Sequence, residues 1–263
     1  MIDLNSNSKA SNYAKQFSLE GKVAIITGAS KGIGAAMARA LAEFGAKVVV
    51  SSRSQEAVDE VAREIGKNAT GVSCHVGRLE QLEHLVQKTS EVYGGVDILI
   101  NNAATNPVYG PLVDSSAELF DKLMHVNVRA CMLLANLCHP IMKSRGAGSV
   151  INIASVEGMK PSFGLGMYSI SKAALIMLTK NQAKEWGRDG IRSNAICPGL
   201  IKTKFSQALW NNDKVLGQFE QHLPSGRMAM PDEMTGLALF LASDASSYST
   251  GSIFTADGGH MIA

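Results

Sequence analysis

Cysteine is scarce, and the four residues present, Cys74, Cys131, Cys138 and Cys197, are widely spaced and lie mostly in apolar runs. That distribution argues against a disulfide framework or a CxxC metal site and predicts buried free thiols in a reducing compartment. Charge of one sign is equally lacking: 25 Lys+Arg oppose 23 Asp+Glu, a formal net charge of +2. With no dense basic run and no basic-aromatic alternation, nucleic acid is not an expected partner. No stretch reaches the ~18 consecutive apolar residues of a membrane span. The polar, Asn/Ser-rich start has no apolar core of the kind a secretory signal needs, so residues 1–18 are expected to form a flexible arm before a domain over 19–263. Met261-Ile262-Ala263 is not a peroxisomal address. The expected location is the cytoplasm. His75, His84, His125, His139, His222 and His260 show no HExxH or similar spacing, and no metal is expected.

What is present is an ordinary globular composition, 46% hydrophobic and 18% charged over 263 residues, which is enough for one large domain and short for two. Short β-branched runs alternate with segments of helical period. The expected strands are Val23–Thr27, Lys47–Ser51, Gly71–Val76, Ile98–Asn101, Ser149–Ala154, Arg192–Ile196 and Ile253–Ala256. The expected helices are Gly34–Phe44, Glu56–Ile65, Leu79–Tyr93, Ser116–Lys143, Tyr168–Trp186 and Pro231–Ala242. Right-handed crossovers between parallel strands then give an α/β fold: a single-domain, Rossmann-type, doubly wound parallel sheet of about seven strands with helices on both faces. The stretch 200–230 is far longer than the usual 2–6 residue connection. It falls at the carboxyl edge of the sheet, where ligands bind, and carries an apolar stripe of Phe205, Leu209 and Trp210, so it is expected to be a substrate lid.

Two local patterns carry chemistry. The first strand runs into Thr27-Gly28-Ala29-Ser30-Lys31-Gly32-Ile33-Gly34 and then a helix, a glycine-rich turn whose helix N-terminus suits a pyrophosphate, although the spacing is GxxxGxG rather than GxGxxG. Tyr168 and Lys172 are four residues apart on a helix, so the ammonium is expected to lie beside the phenol and favour the phenolate. A phenol of pKa ~10 must come down by roughly 2–3 pH units to act near neutrality, about 3–4 kcal/mol. One lysine, helped by the cation of an oxidised nicotinamide, is expected to supply this. Ser155 ends the fifth strand at the same edge, placed to hold the oxygen that Tyr168 protonates.

Taken together, Thr27-Gly28-x3-Gly32-Ile33-Gly34, Asn101-Asn102-Ala103-Ala104, Asn127, Ser155, Tyr168-x3-Lys172 and Pro198-Gly199-x3-Thr203 make the chain resemble the short-chain dehydrogenase/reductase family from Leu19 to Gly259. The resemblance implies Tyr168 as general acid/base, and Lys172 as a contact to the nicotinamide ribose that also tunes the phenol. It implies Ser155 as the residue orienting the carbonyl, and Asn127 as the anchor of a water in a proton relay reaching Lys172. It also implies that Asn102 and Ala103 pass beside the adenosine ribose, and that Ile201 and Thr203, after Pro198-Gly199, hold the carboxamide and phosphates. Many relatives place Asp where this chain has His75, before Val76, leaving the adenine contact at that strand end open; Ala104 replaces a frequent glycine. Within the family, Ser51-Ser52-Arg53, Cys74-His75-Val76-Gly77 and Asn106-Pro107 are similar to the carbonyl and retinal reductase branch called dehydrogenase/reductase member four. That likeness implies reduction of ketones or aldehydes on fairly apolar molecules, and a tetramer.

Cofactor choice is read from the end of the second strand. NAD-selecting proteins place Asp or Glu there, about 20 residues after the glycine turn, whereas this chain has Ser52 followed by Arg53, with Lys31 close by. NADP(H) is therefore expected to be preferred, with NAD(H) possible. The expected substrate walls are Ser155, Val156, Met159, Phe163, Leu200, Phe205, Leu209 and Trp210, too apolar for a small charged acid. A homo-oligomer, most simply a tetramer, is expected because the helices Ser116–Lys143 and Tyr168–Trp186 hold more apolar residues than one core stripe needs, including Cys131, Met132, Leu133, Ala173, Ala174, Ile176 and Met177. The rival readings are a 3-oxoacyl-carrier-protein reductase, which would share every catalytic residue, and a non-catalytic NADP-binding protein.

Overall fold

Every residue of the run Val23–Thr27 is buried, as befits a strand covered on both faces, and it forms β1 in the interior of the sheet. Around it lie β2 (Lys47–Ser52), β3 (Ala69–Ser73), β4 (Ile98–Asn101), β5 (Gly148–Ile153), β6 (Ile191–Pro198) and β7 (Ile253–Ala256). All neighbours pair in parallel in the order β3-β2-β1-β4-β5-β6-β7. The computed structural model describes residues 13–211, 216–217 and 220–263, without the side chains of 208 and 209.

Strand periodicity of two divides the core cleanly. Ala24, Ile26, Val48, Val50, Ile98, Ile100, Ile151 and Ile153 point to one face, under α1 (Gly32–Glu43), α2 (Gln55–Ile65) and, later in the chain, the helix Thr235–Ala242. Ile25, Val49, Val72, Leu99 and Val150 point to the other, under α3 (Leu79–Tyr93) and α5 (Ala130–Ser144), with α4 (Ala117–Met124) leading into α5. A third cluster seats Leu175 and Ile176 of α6 (Gly166–Trp186) on Ala195 and Cys197 of β6. A short α7 (Gln207–Trp210) lies in the long connection, and Thr235–Ala242 is α8.

Three sequence expectations are corrected. The third strand is Ala69–Ser73 rather than Gly71–Val76. After Cys74 N–H reaches Ser52 O at 2.7 Å, side chains take the next donors: His75 N–H bonds Gln81 Oε1 at 2.7 Å and Gly77 N–H bonds His75 Nδ1 at 3.1 Å, so the ladder ends. The single helix expected over Ser116–Lys143 is broken by a π-helical turn, His125–Arg129. The helix expected to open at Pro231 begins as a 3-10 turn, Pro231–Met234. Of the expected arm, residues 1–12 lie outside the described residues; Tyr13–Phe17 is a 3-10 turn whose Phe17 packs on the core, and Leu19 is fully buried.

At the amino-terminal edge of the sheet the buried Asp97 accepts from Val23 N–H at 2.8 Å and from Arg145 Nε and Nη2 at 2.8 and 2.9 Å. This clamp ties β1, β4 and the end of α5 together. The carboxyl edge is left for chemistry.

Candidate active site

The glycine-rich turn is shaped by what approaches it. Gly28 has φ +64°, and a Cβ there would lie 2.9 Å from both Ala103 Cα and Asn102 Nδ2. At Gly34 it would meet Asn102 Nδ2 at 2.5 Å and Gly28 O at 2.7 Å. Asn102 explains the fit: its Nδ2 donates to Thr27 O at 2.9 Å and Gly28 O at 3.1 Å, while Thr27 Oγ1 accepts the N–H groups of Asn102 and Ala103 at 3.0 and 3.1 Å. Ala29 N–H docks the turn on Ser51 O of β2 at 3.0 Å. Lys31, the N-cap residue of α1, offers no side-chain cap, so the first-turn N–H groups are left for another acceptor. Thr203 touches Gly32, its Cγ2 lying 3.3 Å from a Cβ placed there, which brings the segment after Pro198-Gly199 onto the turn. Gly199 N–H bonds Ala256 O at 3.0 Å, and a Cβ at Gly199 would lie 2.8 Å from Asp257 Cα.

These residues fit a dinucleotide. A Cβ at Gly28 or Gly34 would fill the cradle, and Lys31 in the turn and Arg53 just after β2 are exposed with no ion pair among the described residues. Ser30, Ile33, Ser52 and Val76 are half-buried around the same edge. His75 is exposed, but its Nδ1 already accepts from Gly77 N–H, leaving only Nε2 for another partner.

Beside the cradle, α6 presents Tyr168 and Lys172 on one face. Lys172 is buried, and its Nζ donates to Ile153 O at 2.7 Å and lies 5.6 Å from the centre of the Tyr168 ring. Burial pulls its pKa down to about 8, against smaller upward effects of Cys131 and Cys197. Of the two cations expected to lower the phenol, Lys172 is outweighed: burial pushes the Tyr168 pKa up, and the hydrogen bond from Ser155 only partly opposes it. Glu157 and Cys197 push it further up. Ser155 is buried, and its hydroxyl also accepts from Glu157 N–H at 3.2 Å.

Asn127 sits in the π-helical turn, fully buried. Its Nδ2 donates to Thr105 O and Ser171 Oγ, both at 3.0 Å, and its Oδ1 accepts from Thr105 N–H at 2.8 Å. It therefore ties the β4–α4 loop to α6, one residue before Lys172, rather than touching Lys172 itself.

Of the expected substrate walls, Phe205 lies against Tyr168 with ring centres 6.0 Å apart. Val156 is buried, Leu200 and Trp210 are half-buried, and Trp210 Nε1 donates to Thr203 O at 2.9 Å. Leu200 also lines a cavity of about 200 Å³ together with Leu223, Met234 and Asp257. Met159 is 38% and Phe163 77% exposed. The side chain of Leu209 lies outside the described residues. The base of the 200–230 connection is closed by Lys202 N–H to Ala229 O at 2.8 Å and Ala229 N–H to Leu200 O at 3.1 Å.

Beyond Asn106-Pro107, sequence reasoning missed the segment 108–114. Tyr109 lies over Gly164, its Cζ 2.6 Å from where a Cβ would sit, and Leu112 lies over Gly166 in the same way at 3.0 Å. The signal was Gly164 and Gly166 just before Tyr168, small residues where something must approach. It also missed Thr105, Ser171 and Glu157, and the hydrogen bonds of the Thr27 side chain, because their roles depend on partners outside any local motif. The four cysteines are buried and unpaired, with thiol pKa values raised by burial to about 11 or 12.

Residues 28–261 match the family model described as Enoyl-(Acyl carrier protein) reductase. The chain is 45% identical over 244 residues to pig (Sus scrofa) Dehydrogenase/reductase SDR family member 4, covering 92% of this chain and 88% of that protein. The human (Homo sapiens) protein of that name is 40% identical over 95% of this chain and 91% of its own length. Among solved structures, a gluconate 5-dehydrogenase from Burkholderia cenocepacia in complex with NADP and tartrate has a TM-score of 0.90 at 33% identity, covering 94% of this chain and 98% of that one. A short-chain type dehydrogenase/reductase from Mycobacterium marinum has 0.89 at 37%, covering 95% and 100%. With the motifs, the sheet order and these likenesses in agreement, the chain belongs to the short-chain dehydrogenase/reductase family and is an oxidoreductase acting on CH–OH and C=O groups.

Proposed function

We propose that this protein reduces a ketone or aldehyde on a fairly apolar molecule with NADPH, and runs the reverse oxidation with NADP. The observation that carries this reading is the meeting of Tyr168, Ser155 and Lys172 beside the glycine cradle, with Phe205 closing over the phenol. A reduced nicotinamide dinucleotide in that cradle supplies the hydride. Ser155 donates a hydrogen bond to the substrate oxygen and orients it. As negative charge develops on that oxygen, Tyr168 transfers its phenolic proton to it, and an alcohol results. Lys172 stands beside the phenolate and holds the ribose; Asn127 anchors the water through which the proton is restored. The upward push on the phenol suits this direction, because a protonated acid must be present when the carbonyl binds.

NADP(H) preference rests on Ser52 and Arg53 at the end of β2, with Lys31 adding a second cation. The NADP in the Burkholderia neighbour is consistent with it. The 200–230 connection acts as the lid through Phe205 and Trp210. Phe120, Met132, Ile170 and Met177 leave an apolar face on α4, α5 and α6, each 38–55% exposed, which a homotetramer buries. Cys131 and Ile176, also expected there, are buried inside the subunit instead. The working place is the cytoplasm; among the described residues no helix is long and apolar enough to cross a membrane.

A second reading, reduction of the 3-oxo group of acyl-carrier-protein thioesters, shares only the carrier with the description of the matching family model, Enoyl-(Acyl carrier protein) reductase. A panel of aryl ketones, apolar aldehydes, gluconate and acyl-carrier-protein thioesters, each assayed with NADPH and NADH, separates the readings. Turnover of the apolar ketones and aldehydes with NADPH is expected. Activity confined to the thioesters or to gluconate, or a preference for NADH, contradicts the proposal.

A further inference from the structure

The loop between Ser155 and Tyr168 is organised by one carboxylate. Glu157 lies two residues after Ser155, in the 3-10 turn Val156–Gly158 that Ser155 caps. Its Oε1 accepts from Ser162 Oγ at 2.6 Å, and its Oε2 accepts from Ser162 N–H at 2.8 Å and from Ser169 Oγ at 3.1 Å. Ser169 is buried in α6, immediately after Tyr168. One residue further, Gly158 rests on the backbone of α6: a Cβ there would lie 2.7 Å from Lys172 C and 2.9 Å from Ala173 N. The loop is therefore pinned to α6 at two levels, one beside Tyr168 and one beside Lys172. A bulkier residue at 158 would push the loop off α6.

We infer that Glu157 is a positioning residue for the reaction: by tying the loop after Ser155 to the first turns of α6, its carboxylate sets the spacing between the Ser155 hydroxyl and the Tyr168 phenol. The inference rests on Tyr168 being the proton donor. The groups facing the phenol are Ser155 and Glu157 from the segment after β5, Lys172 from α6, Cys197 from β6 and Phe205 from the long connection. Among them Glu157 is the one carboxylate, and its charge favours the protonated phenol. Geometry and charge thus act in the same direction: the loop holds Ser155 in place, and the anion keeps the proton on Tyr168.

The test compares Glu157→Gln, Glu157→Asp and Ser162→Ala with the wild type, measuring kcat and KM for a carbonyl substrate, NADPH dissociation and the pH profile of reduction. Tyr168→Phe serves as control. A small displacement of a reacting group costs up to ~10²-fold in rate, so Glu157→Gln is expected to lower kcat about tenfold with NADPH affinity unchanged. Its alkaline limb is expected at lower pH, because a charge that favoured the protonated phenol is gone. Glu157→Asp restores the limb. Ser162→Ala, which keeps the backbone bond, lowers kcat about threefold with the limb in place. Wild-type kcat in both Glu157→Gln and Ser162→Ala, or a limb that Glu157→Gln leaves unmoved, overturns the inference. Should Tyr168→Phe itself retain turnover, the parent mechanism fails rather than the loop assignment alone.

Discussion

At the two edges of the sheet the protein buries one charge each and treats them in opposite ways. Asp97, at the amino edge, is met by a bidentate guanidinium and a backbone N–H, so every strong demand of its carboxylate is answered inside the fold. Lys172, at the carboxyl edge, is buried more deeply, yet has one carbonyl and no carboxylate for its three donors among the described residues. The contrast appears in the two cations: Arg145, bonded to Asp97, is held above the ordinary arginine pKa, whereas burial drags Lys172 down to about 8. A buried charge with its partners in place is structure. One left short of partners, beside a phenol and a glycine cradle, is poised for a ligand.

The sharpest way to break this comparison is to remove each charge and see which property falls. Lys172→Met should lower kcat on the order of 10²- to 10⁴-fold and weaken NADPH binding, since it removes the cation beside the proton donor. It should leave the fold intact and change its pH response. The folded pKa of Lys172 is about 8 and its ordinary value is 10.5, so between them the unfolded chain binds more protons and this group's contribution to stability rises with pH. The buried thiols act in the opposite sense, and because Lys172 itself pulls Cys131 and Cys197 slightly down, their loss of stability at high pH is no smaller in the variant. The difference in unfolding free energy between wild type and Lys172→Met should therefore change in the wild type's favour from pH about 8 towards 10.5; a pH-independent difference refutes the assignment.

Asp97→Ala should do the reverse, costing about 3 kcal/mol in urea unfolding because it leaves the buried Val23 N–H without its acceptor and Arg145 without its ion pair, with kcat of the remaining folded protein unchanged. Loss of activity without loss of stability would erase the distinction between the edges. Arg53→Ala is the smallest of the three. Losing one charge-assisted bond of ~1.5–3 kcal/mol should reduce the NADPH-to-NADH affinity ratio by roughly tenfold to a hundredfold. Titration of both cofactors checks it, and an unchanged ratio locates the selectivity elsewhere.

The carboxyl edge was more legible in sequence than the amino edge, for physical reasons. β1, β2 and β4 are covered on both faces, so they appear as unbroken β-branched runs. The Tyr168–Lys172 pair is a local helix spacing, and the glycines at 28, 32 and 34 are required by close approach. Asp97 and Arg145 meet across 48 positions, which no local pattern encodes. β3 was displaced because apolar Cys74 and Val76 extend its pattern, while the side chains of Gln81 and His75 end its ladder. The π-helical turn was invisible because the bonds of Asn127 to Thr105 and Ser171, not local propensity, set its place. The direction of the Tyr168 shift was misjudged for the same reason: the lysine is near in sequence, whereas burial and Glu157 come from the tertiary structure.

The central claim, that the phenol of Tyr168 is the proton donor, is tested most directly by measuring kcat for carbonyl reduction and the NADPH dissociation constant of Tyr168→Phe side by side. The account predicts a fall in kcat of ~10²- to 10⁴-fold, since only the transferable proton is removed, with the dissociation constant unchanged. Turnover at the wild-type rate would contradict it.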